Sequence, residues 1–174
     1  MDAEELIRVI PDYPKEGIKY RDITTLIKDR LGFQTSIDRL TTHCKELQPD
    51  VIAGIDARGF IFGSAVAYKM NLGFIPIRKE GKLPAKTLQE RYELEYGTDC
   101  LEIHADAIKK GEKVVLVDDL LATGGTAKAA ETLLSRCGGK VVGVGFLIEL
   151  SALKGRELFK DTDTEVFSIF EFED

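Results

Sequence analysis

The sequence has few cysteines and histidines, and neither type is arranged for metal binding or nucleophilic catalysis. Cys44, Cys100 and Cys137 are odd in number and lack the spacing of metal ligands, so we expect reduced thiols in a cytoplasmic protein. His43 and His104 each stand apart from any nucleophile or group of ligands, and we expect surface or packing roles for both. We therefore expect no metal held by protein ligands alone.

Long apolar runs and an excess of positive charge are also missing. No run approaches the roughly 18 residues of a membrane span, and the acidic first residues do not resemble a signal peptide, so we expect no membrane contact. The formal net charge of −6 argues against a general nucleic-acid binder, which needs a basic face. The 174 residues suffice for one hydrophobic core, and no repeat or linker divides them. We expect a single domain over 1–174.

Strand and helix patterns alternate along the chain. The patterns predict strands at 51–55, 74–77, 141–148 and 166–170, helices at 34–47 and 60–70, and shorter helices at 4–9 and 105–109. This alternation predicts an α/β fold with a mainly parallel sheet and helices on its faces. Ligands of such sheets bind at the carboxyl ends of strands, near a switch in strand order.

A long segment, 78–98, differs in character from the rest. It is rich in Lys, Glu, Gly and Pro, and only short alternating pieces such as 92–96 suggest strand. Loops of this length inside a compact domain are usually functional or disordered. We therefore expect a long functional loop here.

The segment 114–126 is the most informative part of the chain. Four apolar residues predict a strand buried on both faces, and Asp118 and Asp119 end it. Thr123-Gly124-Gly125-Thr126 then turns into a helix, whose free backbone N–H groups and dipole favour an anion. Carboxylates only accept hydrogen bonds, which ribose hydroxyls donate. The segment predicts a sugar-phosphate site; the alternatives are an ordinary capped turn, a solvated loop, or a metal site without sugar.

Cationic side chains follow two other predicted strands. Arg58, in Asp56-Ala57-Arg58-Gly59, has the planar fork of donors that suits phosphate oxygens. Arg78, Lys79 and Lys82 form a cluster beside the long loop. From the residues alone, a surface arginine and a solvated charge run remain alternatives.

The run 115–126 closely resembles the phosphoribosyl diphosphate signature of the type I phosphoribosyltransferases. The resemblance extends over nearly the whole chain, through Tyr-Arg-Asp-Ile at 20–23, Asp-Ala-Arg-Gly at 56–59, Arg-Lys-Glu-Gly-Lys-Leu-Pro at 78–84, Leu-Glu-Tyr-Gly at 94–97 and Leu-Lys-Gly-Arg-Glu at 153–157. It implies a twisted, mainly parallel sheet with a small N-terminal hood over about 1–32 and a mobile catalytic loop over about 80–100. The segments at 78–84 and 94–97 resemble those of the family members that use adenine.

The resemblance implies a reaction and assigns residues to the phosphoribosyl donor. The 5-phosphoribosyl group would pass from phosphoribosyl diphosphate to adenine, giving AMP and diphosphate. Asp118 and Asp119 would hold the ribose hydroxyls and stabilise the positive charge that develops on the ring. Members of the phosphate turn would bind the phosphoribosyl group: Ala122, Thr123, Gly124, Gly125 and Thr126. The diphosphate would contact Asp56, Ala57, Arg58, Arg78, Lys79 and Lys82, with a cis peptide between Asp56 and Ala57.

The resemblance also assigns the acceptor side of the site. Glu95, on the mobile loop, would take or relay a proton of the purine, and Tyr96 would stabilise the closed loop. Pattern alone cannot choose Glu95 over Glu90 or Glu93. Backbone groups near Lys19 and Arg21 would read the adenine edge, and Leu120 would cover the ring.

Cofactor and partners follow from the same resemblance. Mg²⁺ would bind through diphosphate and ribose oxygens and waters rather than a protein cage. A homodimer is implied. Two alternatives stay open: an enzyme for xanthine, guanine or hypoxanthine, and a phosphoribosyl diphosphate-sensing regulator that binds nucleic acid. The regulator needs a basic face or an added domain, and this short acidic sequence shows neither.

Overall fold

The computed structural model describes residues 2–94 and 96–174. Four α-helices lie within these residues: α1 (Thr24–Lys28), α2 (Arg30–Leu47), α3 (Arg58–Lys69) and α4 (Gly125–Arg136). The strands are β1 (Arg8–Pro11), β2 (Lys19–Asp22), β3 (Val51–Ile55), β4 (Gly73–Lys79), β5 (Thr87–Glu93), β6 (Thr98–His104), β7 (Lys113–Leu121), β8 (Lys140–Leu150) and β9 (Glu165–Phe172). Short 3-10 helices span Ala3–Leu6, Ser151–Leu153 and Gly155–Phe159.

Seven strands form one sheet in the order β5-β6-β4-β3-β7-β8-β9. The five from β4 to β9 run parallel, whereas β6 is antiparallel to β4 and β5 is antiparallel to β6. Helices cover both faces of this sheet. The prediction of an α/β fold with a mainly parallel sheet is confirmed, as are the strands predicted at 51–55, 74–77, 141–148 and 166–170.

The central strands are buried because their apolar side chains serve two cores. On one face, Ala53 and Leu116 pack in a cluster with Leu133 and Leu134 of α4. On the other face, neighbouring strand residues pack with side chains of α2 and α3, including Leu40, Phe62 and Val66. Burial on both faces explains the continuous apolar runs in β3 and β7.

Two short helices predicted from sequence are wrong. The 3-10 helix ends at Leu6, and Arg8–Pro11 pairs with Lys19–Asp22 as an antiparallel hairpin instead of continuing a helix to residue 9. The segment 105–109 forms turns, because the Lys109 N–H, which a helix would bond to the Ala105 carbonyl, donates to Oε2 of Glu112 (3.1 Å). In both places a partner outside the predicted helix determines the backbone conformation.

The long loop predicted over 80–100 is largely a hairpin. Strands β5 and β6 pair over seven residues each, from Thr87 opposite His104 to Glu93 opposite Thr98. Leu101 and Ile103 are buried in the core beneath α4, whereas charged side chains cover the outer strand. The charged side chains of β5 obscure the alternation of apolar and polar residues by which a strand is predicted from sequence. Mobility of the turn between the strands stays a prediction.

No helix within 2–94 or 96–174 combines the length and apolar character needed to cross a membrane.

Candidate active site

A cavity of about 490 Å³ opens at the carboxyl ends of β3 and β7. In the sheet β3 lies between β4 on one side and β7 on the other, so the strand order changes direction at β3. Ligands of parallel sheets bind at such a switch point. Arg58, Lys79 and Leu120 line this cavity together with the two strand ends and the turn after β7. The fold thus brings three separate sequence motifs to one place.

The turn after β7 forms one wall of the cavity. Residues 118–127 all line it, including every residue predicted to bind the phosphoribosyl group. Gly124 has a φ of +89°, and a Cβ there would lie 2.9 Å from the carbonyl oxygen of Gly155, so only glycine fits. Helix α4 begins at Gly125, which places its free N–H groups at the cavity. The wall is suited to a phosphate.

Asp118 and Asp119 lie side by side at the cavity floor. The backbone N–H of Asp119 donates to Oδ1 of Asp118 (2.8 Å), and Oδ2 of Asp119 accepts from Nε of Arg58 (2.5 Å). Burial, with the neighbouring charge of Asp119, raises the pKa of Asp118 well above its ordinary value. A ligand that donates hydrogen bonds or carries positive charge would therefore stabilise the ionised form of Asp118.

The loop after β3 approaches these aspartates closely. The peptide bond between Asp56 and Ala57 is cis, as the resemblance implied. Arg58 begins α3, and a Cβ on the next residue, Gly59, would lie 2.8 Å from Oδ1 of Asp118. Burial lowers the pKa of Arg58, but the Asp119 carboxylate outweighs it and the net shift is upward. The guanidinium stays charged beside the cavity.

The other predicted diphosphate ligands are each placed differently. Lys79 lines the cavity and pairs with Asp99, a hydrogen bond that raises the pKa of the lysine. Arg78 Nε donates to Oδ2 of Asp56 (2.8 Å) and does not line the cavity. Lys82 is exposed and also lies outside the lining. Arg58 and Lys79 therefore lie at the cavity together with the turn, whereas Arg78 contacts Asp56 and does not line the cavity.

The side chains predicted near adenine point in different directions. Leu120 lines the cavity. Lys19 and Arg21, on β2, both pair with Asp174, and the Arg21 guanidinium lies 4.0 Å from the ring centre of Phe172. Neither of these cationic side chains lines the cavity. Recognition of the base by backbone groups at this strand stays a prediction.

The predicted proton-transfer residue, Glu95, lies outside the described residues. Its neighbour Tyr96 is 76% exposed, and Lys15 Nζ lies 4.6 Å from the centre of its ring. Leu94 lines the cavity, so the start of this turn faces the site.

Sequence reasoning missed two polar residues of the hairpin. Tyr92 and Asp99 face each other across β5 and β6, and both line the cavity. The Tyr92 hydroxyl lies 3.4 Å from Oδ2 of Asp99 and 3.4 Å from Oγ1 of Thr126. The alternation of apolar and polar residues at 92–96 is the one sequence feature that indicates a strand near Tyr92.

Within 2–94 and 96–174 no group of three or more His, Cys, Asp or Glu side chains is arranged to hold a metal ion. The oxygen-rich floor at Asp118 and Asp119 still offers the hard donors that Mg²⁺ prefers when phosphates and waters complete its shell.

A model of the phosphoribosyl transferase domain matches residues 26–174. The chain belongs to the phosphoribosyltransferase family, since that match covers most of it and agrees with the fold and the turn after β7. It is 54% identical over 173 residues to the adenine phosphoribosyltransferase of Parvibaculum lavamentivorans, covering 99% of each chain.

Solved structures agree with this family assignment. The adenine phosphoribosyltransferase of Thermoanaerobacter pseudethanolicus superposes with a TM-score of 0.93 at 49% identity, over 98% of this chain and 100% of that one. The Saccharomyces cerevisiae enzyme, solved with an imino-altritol bisphosphate and adenine, has a TM-score of 0.89 at 37% identity, over 96% and 97%.

Proposed function

We propose that this protein is an enzyme of purine salvage that transfers the 5-phosphoribosyl group of phosphoribosyl diphosphate to adenine. The products are AMP and diphosphate. The observation that carries the proposal is the joining of a phosphate turn, paired carboxylates and two cations around one cavity. Full-length similarity to adenine phosphoribosyltransferases supports the choice of base.

The donor is held at both ends while its C1′–oxygen bond breaks. The turn from Thr123 to Thr126 binds the 5-phosphate through backbone N–H groups and hydroxyls. Arg58 and Lys79 bind the diphosphate, and Asp118 and Asp119 accept from the ribose hydroxyls. As the diphosphate leaves, positive charge grows on the ribose ring, and the two fixed carboxylates stabilise it.

The acceptor base attacks C1′ through N9 and must lose its imidazole proton. By family resemblance Glu95 takes or relays this proton, and closure of the turn that contains it excludes water. Tyr96 stabilises the closed turn. Leu120 packs on the purine, and backbone groups near Lys19 and Arg21 read its amino edge.

When bound, Mg²⁺ would neutralise diphosphate charge and so make diphosphate a better leaving group. The floor carboxylates Asp118 and Asp119 would face such an ion, which substrate oxygens and waters would otherwise coordinate.

A homodimer and a cytoplasmic location complete the proposal. An apolar cavity of about 400 Å³ between α2 and α3 is lined by Phe33, Ile37, Ala65 and Tyr68, and Tyr68 is 89% exposed. A second copy would cover this surface, and α3 would then bring the partner near Arg58. Sedimentation should give twice the chain mass, and Tyr68→Glu should lower it.

The free thiols of the structure suit a reducing compartment, which cell fractionation would test.

The decisive experiment incubates the protein, phosphoribosyl diphosphate and Mg²⁺ with each purine base separately. AMP should form from adenine at least tenfold faster than nucleotides form from xanthine, guanine or hypoxanthine. Absence of AMP formation would overturn the proposal, and faster use of a 6-oxopurine would favour the alternative enzyme.

The proton role of Glu95 has a matched control two residues earlier in the chain. Glu95→Gln should lower kcat by about 10²–10⁴-fold with little change in donor affinity, the range typical of general base catalysis. Glu93→Gln, at the exposed end of β5, should stay near wild type. Unchanged turnover in Glu95→Gln would remove this residue from the mechanism.

A further inference from the structure

The Tyr92 hydroxyl lies between the two halves of the donor site. On one side Oγ1 of Thr126, in the phosphate turn, donates to it at 3.4 Å; on the other it donates to Oδ2 of Asp99 at 3.4 Å. Both distances exceed the roughly 2.7–2.8 Å common for hydroxyl donors, so a small movement would strengthen either contact. Burial raises the pKa of Tyr92, which keeps the hydroxyl protonated at neutral pH.

Asp99 is the counterion of Lys79 in this structure. Its Oδ2 accepts from Lys79 and Tyr92, and its Oδ1 accepts from the backbone N–H of Cys100 (2.8 Å). A diphosphate that binds Lys79 competes with Asp99 for the ammonium group, and Asp99 loses part of this contact. Asp99 tolerates that loss better while Tyr92 donates to it, because a half-buried carboxylate needs donors.

A phosphate bound in the turn would accept the Thr126 hydroxyl proton and so reverse the hydrogen bond between Thr126 and Tyr92. When Thr126 donates its hydroxyl proton to the phosphate, its oxygen is free to accept from Tyr92. The single Tyr92 proton then has two competing acceptors, Thr126 and Asp99. When Tyr92 donates to Thr126, Asp99 loses one of its donors, and its hydrogen bond with Lys79 becomes more important.

We infer that Tyr92 is a positioning residue that makes the two ends of the donor site bind their anions antagonistically, through competition for one hydroxyl proton. The inference rests on the proposed function and adds a consequence for product release. After transfer, the nucleotide phosphate fills the turn, so Tyr92 donates to Thr126 and Lys79 returns more readily to Asp99. Diphosphate is thereby released sooner.

The test measures the affinity for inorganic diphosphate by calorimetry, at fixed Mg²⁺, without and with saturating ribose 5-phosphate. The ratio of the two dissociation constants is the binding penalty, which in the wild type also includes direct repulsion between the anions. In Tyr92→Phe the penalty should fall about fivefold, equivalent to the ~1 kcal/mol typical of one hydrogen bond. Ser135→Ala, which loses an exposed hydroxyl at the carboxyl end of α4, should keep the wild-type penalty.

A second variant covers the case in which Tyr92→Phe does not fold, as judged by its melting curve. Asp99→Asn removes the competing charge and should also reduce the penalty, whereas Asp106→Asn at an exposed turn should not. An unchanged penalty in the folded variant overturns the inference. Neither probe is a purine, so failure to make AMP overturns only the proposed function; absence of any binding of either probe to wild type overturns both.

Discussion

The two walls of the cavity are built in different ways. The phosphate wall is one continuous segment, 118–126, whose binding groups are mainly backbone N–H groups at the start of α4. The cationic wall is assembled from separate elements: Arg58 comes from α3 and Lys79 from β4. Backbone donors need no partner in the free protein, whereas each of these cations already pairs with a carboxylate, Asp119 or Asp99.

This difference assigns different tasks to the two walls. The fold holds the phosphate wall in place, so its geometry is ready before the ligand arrives. On the cationic wall a diphosphate competes with the protein's own carboxylates for the two cations, so binding there exchanges counterions. That exchange lets a chain with a net charge of −6 bind a strongly anionic substrate. Substitutions on the two walls should therefore have effects of different size and kind.

Among the residues of the two walls and of the floor that joins them, the largest loss is expected at the floor. Asp118→Asn should lower kcat by about 10²–10³-fold, because a fixed charge opposite the developing positive charge is lost. Since Asp118 must be ionised and its pKa is raised, wild-type kcat/KM should fall as the pH drops through that pKa. The variant should lack this acid limb. pH profiles of the two proteins would check it.

Stability should change in the opposite direction in the same variant. The folded state binds the Asp118 proton more tightly than the unfolded state, so wild-type unfolding free energy declines as the pH rises from the ordinary carboxyl pKa through the raised one. Asp118→Asn should be the more stable protein above that range in urea titrations without ligand. Asp161→Asn, at an exposed position, is the control. A variant that is both slower and less stable at high pH would contradict this account.

The phosphate wall should be intolerant of a single methyl group at Gly124. Gly124→Ala places a Cβ 2.9 Å from the Gly155 carbonyl at a φ of +89°, which should cost about 1–3 kcal/mol of unfolding free energy. Displacement of the turn should lower kcat/KM about 10²-fold. Gly111→Ala has a similar φ of +86° but open space, and it precedes the amino end of β7, opposite the end that borders the cavity. It should lose stability without losing activity; equal activity losses in both would refute a local effect.

The cationic wall should respond less steeply. Arg58→Lys keeps the charge but loses the planar fork, so we expect KM for phosphoribosyl diphosphate to rise about tenfold with a smaller change in kcat. Initial-rate kinetics with both substrates varied would measure the split. Arg136→Lys, exposed at the end of α4, should match wild type. If KM for the donor stays unchanged, Arg58 has no part in diphosphate binding.

The smallest effect is expected at Lys82. Its side chain is exposed and lies outside the cavity, so Lys82→Ala should raise KM for the donor about threefold or less. That change should disappear at high ionic strength, because exposed charges are screened. Lys79→Ala should raise KM by about tenfold or more and keep most of its effect in salt. Equal effects of the two substitutions would contradict the cavity boundary described above.

Sequence predicted the phosphate wall better than the rest of the site. The turn could be predicted because the strand, the carboxylates, the glycines and the start of the helix follow one another in the chain. Each of these parts has a characteristic residue type. Tyr92 and Asp99 could not be read, because they meet only when β5 pairs with β6. The helix predicted at 4–9 failed for the same reason: pairing with β2 outweighs local preference there.

Local residue order by itself therefore determined the parallel core, the switch-point motifs and the phosphate turn, since burial pattern and backbone freedom act over a few neighbouring residues. Only the tertiary structure decided which carboxylate neutralises each cation, where the 78–104 segment forms strands, and that Lys19 and Arg21 face Asp174. These contacts join residues far apart in the chain. Their energies depend on distance and burial, which a sequence does not contain until it folds.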